Sequence, residues 1–262
     1  MDKLQITNTC PANFRYKQNN IQYPSPQKIT YFSSNTNSER KMNIILPVGY
    51  DESKKYPIVY FLHGIFGDED SMLDESTIAI PTNLLKEGKA KEFIMVLPSE
   101  YAPTPGNEVE PGFSQKYFDG YDNFINELVD VIMPYMEQNY PILTGKDNTA
   151  LCGFSMGGRN SLYIAYKRSD LFGYVGDDFS GHHPGLFTEE QFRSDDPPYV
   201  TLISCGTNDS VVHEFPKSYH EILTRNNQKH IWFEVPGADH NEDAISAGLY
   251  NFVQTIFGAL NN

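Results

Sequence analysis

A serine between two glycines is the first feature of this sequence that could carry out covalent chemistry. Gly153-Phe154-Ser155-Met156-Gly157 lies between the apolar, strand-like run Thr149 to Phe154 and a helical pattern. In that setting Gly-X-Ser-X-Gly predicts a sharp turn that lifts the serine hydroxyl above a sheet, because glycines allow the backbone to pass closely. The N-terminus of the next helix points at any negative charge forming there. Ser155 is therefore predicted to be a nucleophile.

A serine hydroxyl is a weak nucleophile near neutral pH, so it needs a base and a third group that fixes the tautomer of that base. Asp209 follows the strand-like run Tyr199 to Cys205, and His240 follows the run from Ile231 to Val235. Serine, acid and histidine then come in the chain order of this kind of hydrolase. Asp239 competes as the acid, but a residue adjacent in sequence cannot easily reach the far ring nitrogen of His240. We therefore expect Asp209 to orient His240, and His240 to act as general base.

The tetrahedral intermediate of acyl transfer needs two backbone N–H donors. One belongs to the residue after the nucleophile, Met156, and the other to the loop after the third strand. That loop is His63-Gly64-Ile65-Phe66-Gly67, after the apolar run Tyr56 to Leu62, and Ile65 is its candidate donor. An ordinary strand-to-helix turn is the alternative interpretation of the His-Gly segment.

Aromatic residues between Tyr101 and Tyr121 suggest a wall for a planar substrate group. We expect a long loop there, with Tyr101 and Phe113 as candidate substrate-binding residues. The alternative is that these aromatic side chains only hold the loop on the body of the protein. Residues 182–198, which include His182 and His183, are a second candidate wall or lid. The other non-catalytic histidines are interpreted as structural, apart from His63 in the loop after the third strand.

Strand-like and helical patterns alternate along most of the chain, which is typical of a mostly parallel sheet covered by helices on both faces. Residues 27–33 and 40–47 predict an antiparallel hairpin. Buried strands are predicted at residues 56–62, 93–97, 149–154, 199–205 and 230–235, and helices at residues 124–140, 159–168, 214–226 and 242–257. We therefore expect an N-terminal arm over residues 1–26 and one catalytic domain of the α/β-hydrolase fold over residues 27–262.

Composition excludes several classes of protein. Lys and Arg total 20 against 34 Asp and Glu, a net charge of −14, which repels nucleic acid and anionic membranes. No segment reaches the roughly 18 apolar residues of a membrane span. Cys10, Cys152 and Cys205 have neither the even number of a disulfide framework nor the spacing of a zinc site. The N-terminus lacks the apolar stretch of a signal peptide, so we expect a cytoplasmic protein or one whose signal was removed.

Several motifs together resemble the feruloyl esterases of carbohydrate esterase family one, in the esterase D-like group. The motifs are Leu62 to Asp68, Gly153 to Gly158, Gly206 to Asp209, Gly237 to His240 and Gly248 to Phe252. The resemblance covers residues 27–260 and places Ser155, Asp209 and His240 in the triad, with Ile65 and Met156 at the oxyanion hole. It implies hydrolysis of ferulate or p-coumarate esters of arabinoxylan, or of small hydroxycinnamate esters, by a secreted enzyme without cofactor or metal.

Two other functions stay open on the sequence. An esterase for short acyl groups, such as acetyl xylan or formyl thioesters, would use the same triad. S-formylglutathione hydrolases, however, usually carry histidine at the positions of Phe154 and Arg159. That departure favours the branch acting on plant cell walls. A catalytically silent module that binds xylan is the third alternative.

Overall fold

Eight strands form one sheet in the computed structural model, which describes residues 5–178, 189–212 and 214–259. The strands are β1 (Gln27–Ser33), β2 (Ser38–Ile45), β3 (Ile58–Leu62), β4 (Ile94–Pro98), β5 (Thr149–Phe154), β6 (Tyr174–Asp178), β7 (Val200–Gly206) and β8 (Ile231–Val235). Their order across the sheet is β1-β2-β4-β3-β5-β6-β7-β8. β2 pairs antiparallel with β1 and β4, and the other neighbouring strands are parallel. The predicted α/β-hydrolase fold with an N-terminal antiparallel hairpin is confirmed.

Helices cover both faces of this sheet. They are α1 (Ala12–Arg15), α2 (Glu75–Lys86), α3 (Gln115–Asp122), α4 (Phe124–Glu127), α5 (Met133–Asn139), α6 (Met156–Lys167), α7 (Glu214–Arg225) and α8 (Glu242–Thr255). Along β3, Val59 and Phe61 belong to a core shared with α2 and α8. Ile58, Tyr60 and Leu62 belong to a second core, shared with α4 to α7. Because alternate side chains point to opposite faces, a strand buried on both faces has a continuous apolar run.

The helix predicted over residues 124–140 is interrupted. Leu128–Ile132 forms a π-helical turn between α4 and α5. Pro134 follows that turn, and proline lacks an N–H and clashes with the carbonyl four residues earlier, so a regular α-helix cannot continue through it.

Three further elements differ from the sequence prediction. The segment from Tyr101 to Tyr121 is not entirely a loop, because α3 begins at Gln115 after an N-cap at Ser114, whose hydroxyl accepts a hydrogen bond from Tyr117 N–H. β6 was not predicted, since it ends in two aspartates and lacks an apolar run. α2 was not predicted either, because it contains Pro81.

The N-terminal segment lies against α2 and α8. Asn83 on α2 donates to the carbonyls of Asn13, Phe14 and Tyr16 at 3.3, 2.9 and 3.0 Å. Thr7 N–H donates to the side-chain oxygen of Asn251 on α8, and the Asn251 amide donates back to the Thr7 carbonyl. Both asparagines are buried, so they connect the arm to the body of the protein.

The three cysteines, Cys10, Cys152 and Cys205, are all free thiols. Within the described residues, no helix has both the length and the apolar character needed to cross a bilayer.

Candidate active site

Ser155 occupies the turn between β5 and α6 with a strained backbone. Its φ of 57° and ψ of −118° lie outside the regions that residues with side chains normally adopt. The side chain is 7 % exposed. The turn places the serine at the C-terminal end of a central parallel strand and directly before the N-terminus of α6, as the sequence motif predicts.

Two glycines in this turn are required by close backbone contacts. A Cβ on Gly153 would lie 2.3 Å from the carbonyl carbon of Gly157, and a Cβ on Gly157 would lie 2.5 Å from the Leu62 carbonyl oxygen. Both distances are far below van der Waals contact with backbone atoms that cannot move aside. The motif therefore needs these two glycines because β5, α6 and the end of β3 pack closely around the serine.

His240 and Asp209 form a hydrogen-bonded pair. His240 Nδ1 lies 2.8 Å from Asp209 Oδ2, and the Asp209 side chain is fully buried. The other carboxylate oxygen, Oδ1, accepts from the N–H groups of Val211 and Val212 at 2.8 and 3.0 Å. Because the carboxylate accepts the Nδ1 proton, His240 keeps Nε2 as the basic nitrogen. Asp239 instead accepts the backbone N–H of His240, which agrees with the choice of Asp209 over Asp239.

The acid loop after β7 and the histidine loop after β8 hold each other in place. Asn208 N–H donates to the Ala238 carbonyl at 2.9 Å, and Gly237 N–H donates to the Thr207 hydroxyl at 2.8 Å. The His240 ring also packs against Phe154, the residue before Ser155, with ring centroids 4.4 Å apart. These contacts bring the acid and the histidine beside the serine turn.

The loop after β3, residues 63–67, lies next to the serine. A Cβ on Gly64 would lie 3.3 Å from the Cβ of Ser155. His63 Nε2 accepts from the Glu100 N–H at 2.8 Å, so the ring proton is on Nδ1 and is donated to the Gly64 carbonyl at 2.6 Å. Burial lowers the pKa of His63, which keeps this ring neutral. His63 thus ties the loop to the end of β4.

Both candidate oxyanion donors adjoin one small aromatic cluster. Met156 is buried together with Tyr117 and Tyr121, and Ile65 packs against them. Met156 is the first residue of α6, where backbone N–H groups have no partner within the helix. The side chains of Ile65 and Met156 thus belong to one cluster next to the serine turn, and their N–H groups remain the predicted oxyanion donors.

A family model described as a putative esterase matches residues 33–242 of this chain. The chain belongs to this esterase family. A CE1 ferulic acid esterase from the anaerobic fungus Anaeromyces mucronatus is 66 % identical, with a TM-score of 0.97 over 99 % of this chain and 100 % of that one. The same enzyme has been solved with ferulic acid bound. The resemblance to the feruloyl esterases of family one is confirmed.

Curated relatives of the esterase are longer proteins. An endo-1,4-beta-xylanase/feruloyl esterase from Xylanibacter ruminicola is 30 % identical over 75 % of this chain, and the match spans 26 % of that protein. Endo-1,4-beta-xylanase Y from Acetivibrio thermocellus is 27 % identical over 70 % of the chain and 18 % of its own length. The esterase thus corresponds to about a quarter or less of these relatives.

The two candidate substrate-binding residues have different environments. Tyr101 is half-buried among Tyr117 and Tyr121, and its hydroxyl is hydrogen-bonded with the backbone of Val109. Phe113 is 77 % exposed and packs edge-on against Phe66 at 5.3 Å. Tyr101 therefore also has a structural function in its loop, whereas Phe113 is available at the surface.

Sequence reasoning missed Phe66. It is 47 % exposed, stacks on Tyr117 and has a φ of 67°, which is rare for a bulky residue. An aromatic residue inside a Gly-rich loop was the only available signal, and it did not reveal the backbone conformation.

The remaining histidines divide into two groups. His182, His183 and His213 lie outside the described residues, so the wall or lid predicted over 182–198 is described only from residue 189. His220 Nδ1 and His230 Nε2 are 2.7 Å apart, and the His220 ring stacks on Trp232. This pair lies on α7 and beside β8, and a structural role remains the prediction for it.

Proposed function

We propose that this esterase hydrolyses feruloyl and related hydroxycinnamoyl esters, including those carried by arabinoxylan, through an acyl-enzyme at Ser155. The observation that carries the proposal is the 66 % identity over nearly the whole chain to an enzyme solved with ferulic acid bound. The curated relatives named as xylanases support a polysaccharide substrate. Because xylan lies outside cells, we place the enzyme there.

The proposed reaction follows from the serine turn and the pair of Asp209 and His240. His240 Nε2 takes the Ser155 proton as Oγ attacks the ester carbonyl, and Asp209 stabilises the imidazolium while remaining ionised. The N–H groups of Ile65 and Met156 stabilise the oxyanion. The protonated histidine then gives its proton to the leaving sugar oxygen, and water repeats the sequence to release the acid.

The buried environment of Asp209 supports this assignment. Its two oxygens accept three hydrogen bonds, one from the imidazole and two from backbone N–H groups. These bonds satisfy a carboxylate that has no access to water and hold it in one orientation. An imidazole held by such a carboxylate keeps one tautomer through the reaction.

Initial rates on methyl ferulate and on 4-nitrophenyl acetate test the proposal. Ser155→Ala removes the nucleophile, so we expect turnover to fall by several orders of magnitude, while the exposed Ser53→Ala stays near wild type. Hydrolysis of the small activated ester alone would move the substrate to short acyl groups. Substantial activity remaining in Ser155→Ala would overturn the nucleophile assignment.

A further inference from the structure

The loop after β3 contains a backbone conformation that requires support. Phe66, next to Ile65, has a φ of 67°, in the left-handed region that is strained for a residue with a side chain. Within the loop, Gly67 N–H donates to the Gly64 carbonyl at 3.1 Å and closes a turn. The N–H of Phe66 donates instead to the hydroxyl of Tyr121 on α3, at 3.0 Å. A phenol from another element thus holds the loop directly beside the candidate oxyanion donor.

Tyr121 is itself held by a buried polar network. Its side chain is 1 % exposed, and its carbonyl accepts from the Asn160 amide at 3.2 Å. The same amide donates to Glu100 Oε2 at 2.8 Å, and the Glu100 N–H donates to His63. The chain of contacts therefore begins at His63, passes through Glu100, Asn160 and Tyr121, and returns to the same loop at Phe66.

This network connects three elements whose relative positions matter for the reaction. Asn160 lies on α6, which begins at Met156, whereas Glu100 follows β4 and Tyr121 lies on α3. One end of the loop is fixed by His63 and the other by the Tyr121 hydroxyl. The spacing between the N–H groups of Ile65 and Met156 consequently depends on contacts outside the serine turn.

The network contains one buried carboxyl group. Glu100 is completely buried, and burial raises its pKa to about 8 against the opposing effects of the Asn160 hydrogen bond and the Arg159 charge, which favours the protonated carboxyl at neutral pH.

We propose that Tyr121 is a positioning residue for the oxyanion hole, acting through its hydrogen bond to the Phe66 N–H on the orientation of Ile65. The inference rests on the proposed acyl transfer at Ser155. Tyr121 does not touch the reacting atoms. It acts because displacement of a catalytic group by about 1 Å lowers rates by about 100-fold.

Tyr121→Phe tests this role because it removes one hydroxyl and keeps the ring. Tyr166→Phe is the matched control, since Tyr166 is also buried and its hydroxyl bonds Thr201, away from the loop. For Tyr121→Phe we expect kcat to fall about 10- to 100-fold with KM within about twofold. The control should keep kcat, and the two variants should lower the melting temperature by similar amounts.

Inhibition constants for two inhibitors distinguish a positioning role of Tyr121 from a general loss of structure in the site. A trifluoromethyl ketone analogue of the ester forms a tetrahedral adduct with an oxyanion, whereas ferulate binds without one. In Tyr121→Phe the inhibition constant of the ketone should rise by the same factor as kcat falls, while that of ferulate stays unchanged. Retention of kcat within twofold, or equal weakening of both inhibitors, would show that Tyr121 is only structural.

Using both esters separates this inference from the proposed substrate. If wild type hydrolyses 4-nitrophenyl acetate but not methyl ferulate, the feruloyl assignment is wrong, and the Tyr121 comparison is made on the acetate. If methyl ferulate is hydrolysed and Tyr121→Phe matches wild type, the substrate assignment holds and the positioning role is overturned.

Discussion

At the level of single residues, this site separates groups that face the reaction from groups that hold them. Ser155 is 7 % exposed and the His240 side chain 16 % exposed, whereas Asp209 and Glu100 are fully buried carboxyl groups. The two carboxyls differ in their partners. Asp209 accepts three hydrogen bonds, which suit an ionised group, whereas one Glu100 oxygen accepts from Asn160. For Glu100, burial raises the pKa to about 8, and its partners Asn160 and Arg159 offset that effect only in part.

We predict that Glu100 makes the stability of the protein fall as pH rises. In the folded chain its pKa is raised to about 8, while an unfolded glutamate has a pKa of about 4.3. Between these values the folded chain keeps a proton that the unfolded chain releases, so the free energy of unfolding decreases by at most about 1.4 kcal/mol per pH unit. Glu100→Gln removes this dependence while keeping an oxygen for Asn160.

Urea unfolding of wild type and Glu100→Gln at pH 5, 6.5 and 8 measures the effect. The free energy of unfolding of wild type, taken relative to that of Glu100→Gln, should fall from pH 5 to pH 8. If the free energy of unfolding changes with pH in the same way for the two proteins, Glu100 is ionised in the folded state, against the assignment of a protonated carboxyl.

At the level of elements, the site depends on strand ends that meet at one edge of the sheet. β5, β7 and β8 are parallel through β6 and supply the serine, acid and histidine turns, while β3 supplies the neighbouring loop. These turns are coupled by backbone contacts rather than by long side chains. A small change in one turn therefore displaces groups in another.

We predict that Gly153→Ala disables the serine turn. Its Cβ would lie 2.3 Å from the backbone of Gly157, so the turn would have to open, and overpacking of this kind costs about 1–3 kcal/mol. Activity should fall at least 100-fold because Ser155 moves from its partners. The control is Gly112→Ala, where the nearest atom to the new Cβ is 3.9 Å away.

Melting temperature and hydrolysis of 4-nitrophenyl acetate should both fall in Gly153→Ala and remain near wild type in Gly112→Ala. Normal activity in Gly153→Ala would show that the backbone relaxes at this position without moving the serine.

At the level of the whole molecule, the N-terminal arm completes the face of the sheet covered by α2 and α8. Phe14 belongs to the core on that face and packs against Tyr250, with ring centroids 5.2 Å apart. The buried amide of Asn83 satisfies three carbonyls of the arm. The arm therefore contributes to stability at a distance from the serine turn.

We predict that Asn83→Ala lowers stability by about 1–3 kcal/mol, because the buried carbonyl of Phe14 and two partly buried hydrogen bonds lose their donor. Activity at 25 °C should stay near wild type, since the side-chain hydrogen bonds of Asn83 are to the N-terminal segment. Thermal unfolding and kcat for this variant, with the exposed Asn126→Ala as control, check both expectations. A large loss of activity without loss of stability would instead connect the arm to catalysis.

Much of this architecture follows from local patterns in the amino-acid order. The apolar runs predict strands buried on both faces, and the glycines around Ser155 indicate a turn with close backbone contacts. Asp209 and His240 stand out because each follows a strand. These features depend on neighbours in sequence, where hydrophobic periodicity and glycine conformation operate.

Only the tertiary structure identified the groups that support the reactive residues. Glu100, Asn160 and Tyr121 are far apart in sequence and have the residue types of ordinary surface or loop positions. Only folding removes them from water and aligns their hydrogen bonds, so no one-dimensional pattern marks them as members of one network. The same holds for Phe66, whose left-handed backbone is stabilised by a hydroxyl 55 residues away. Long-range packing, rather than local propensity, decides which polar groups position the reactive ones.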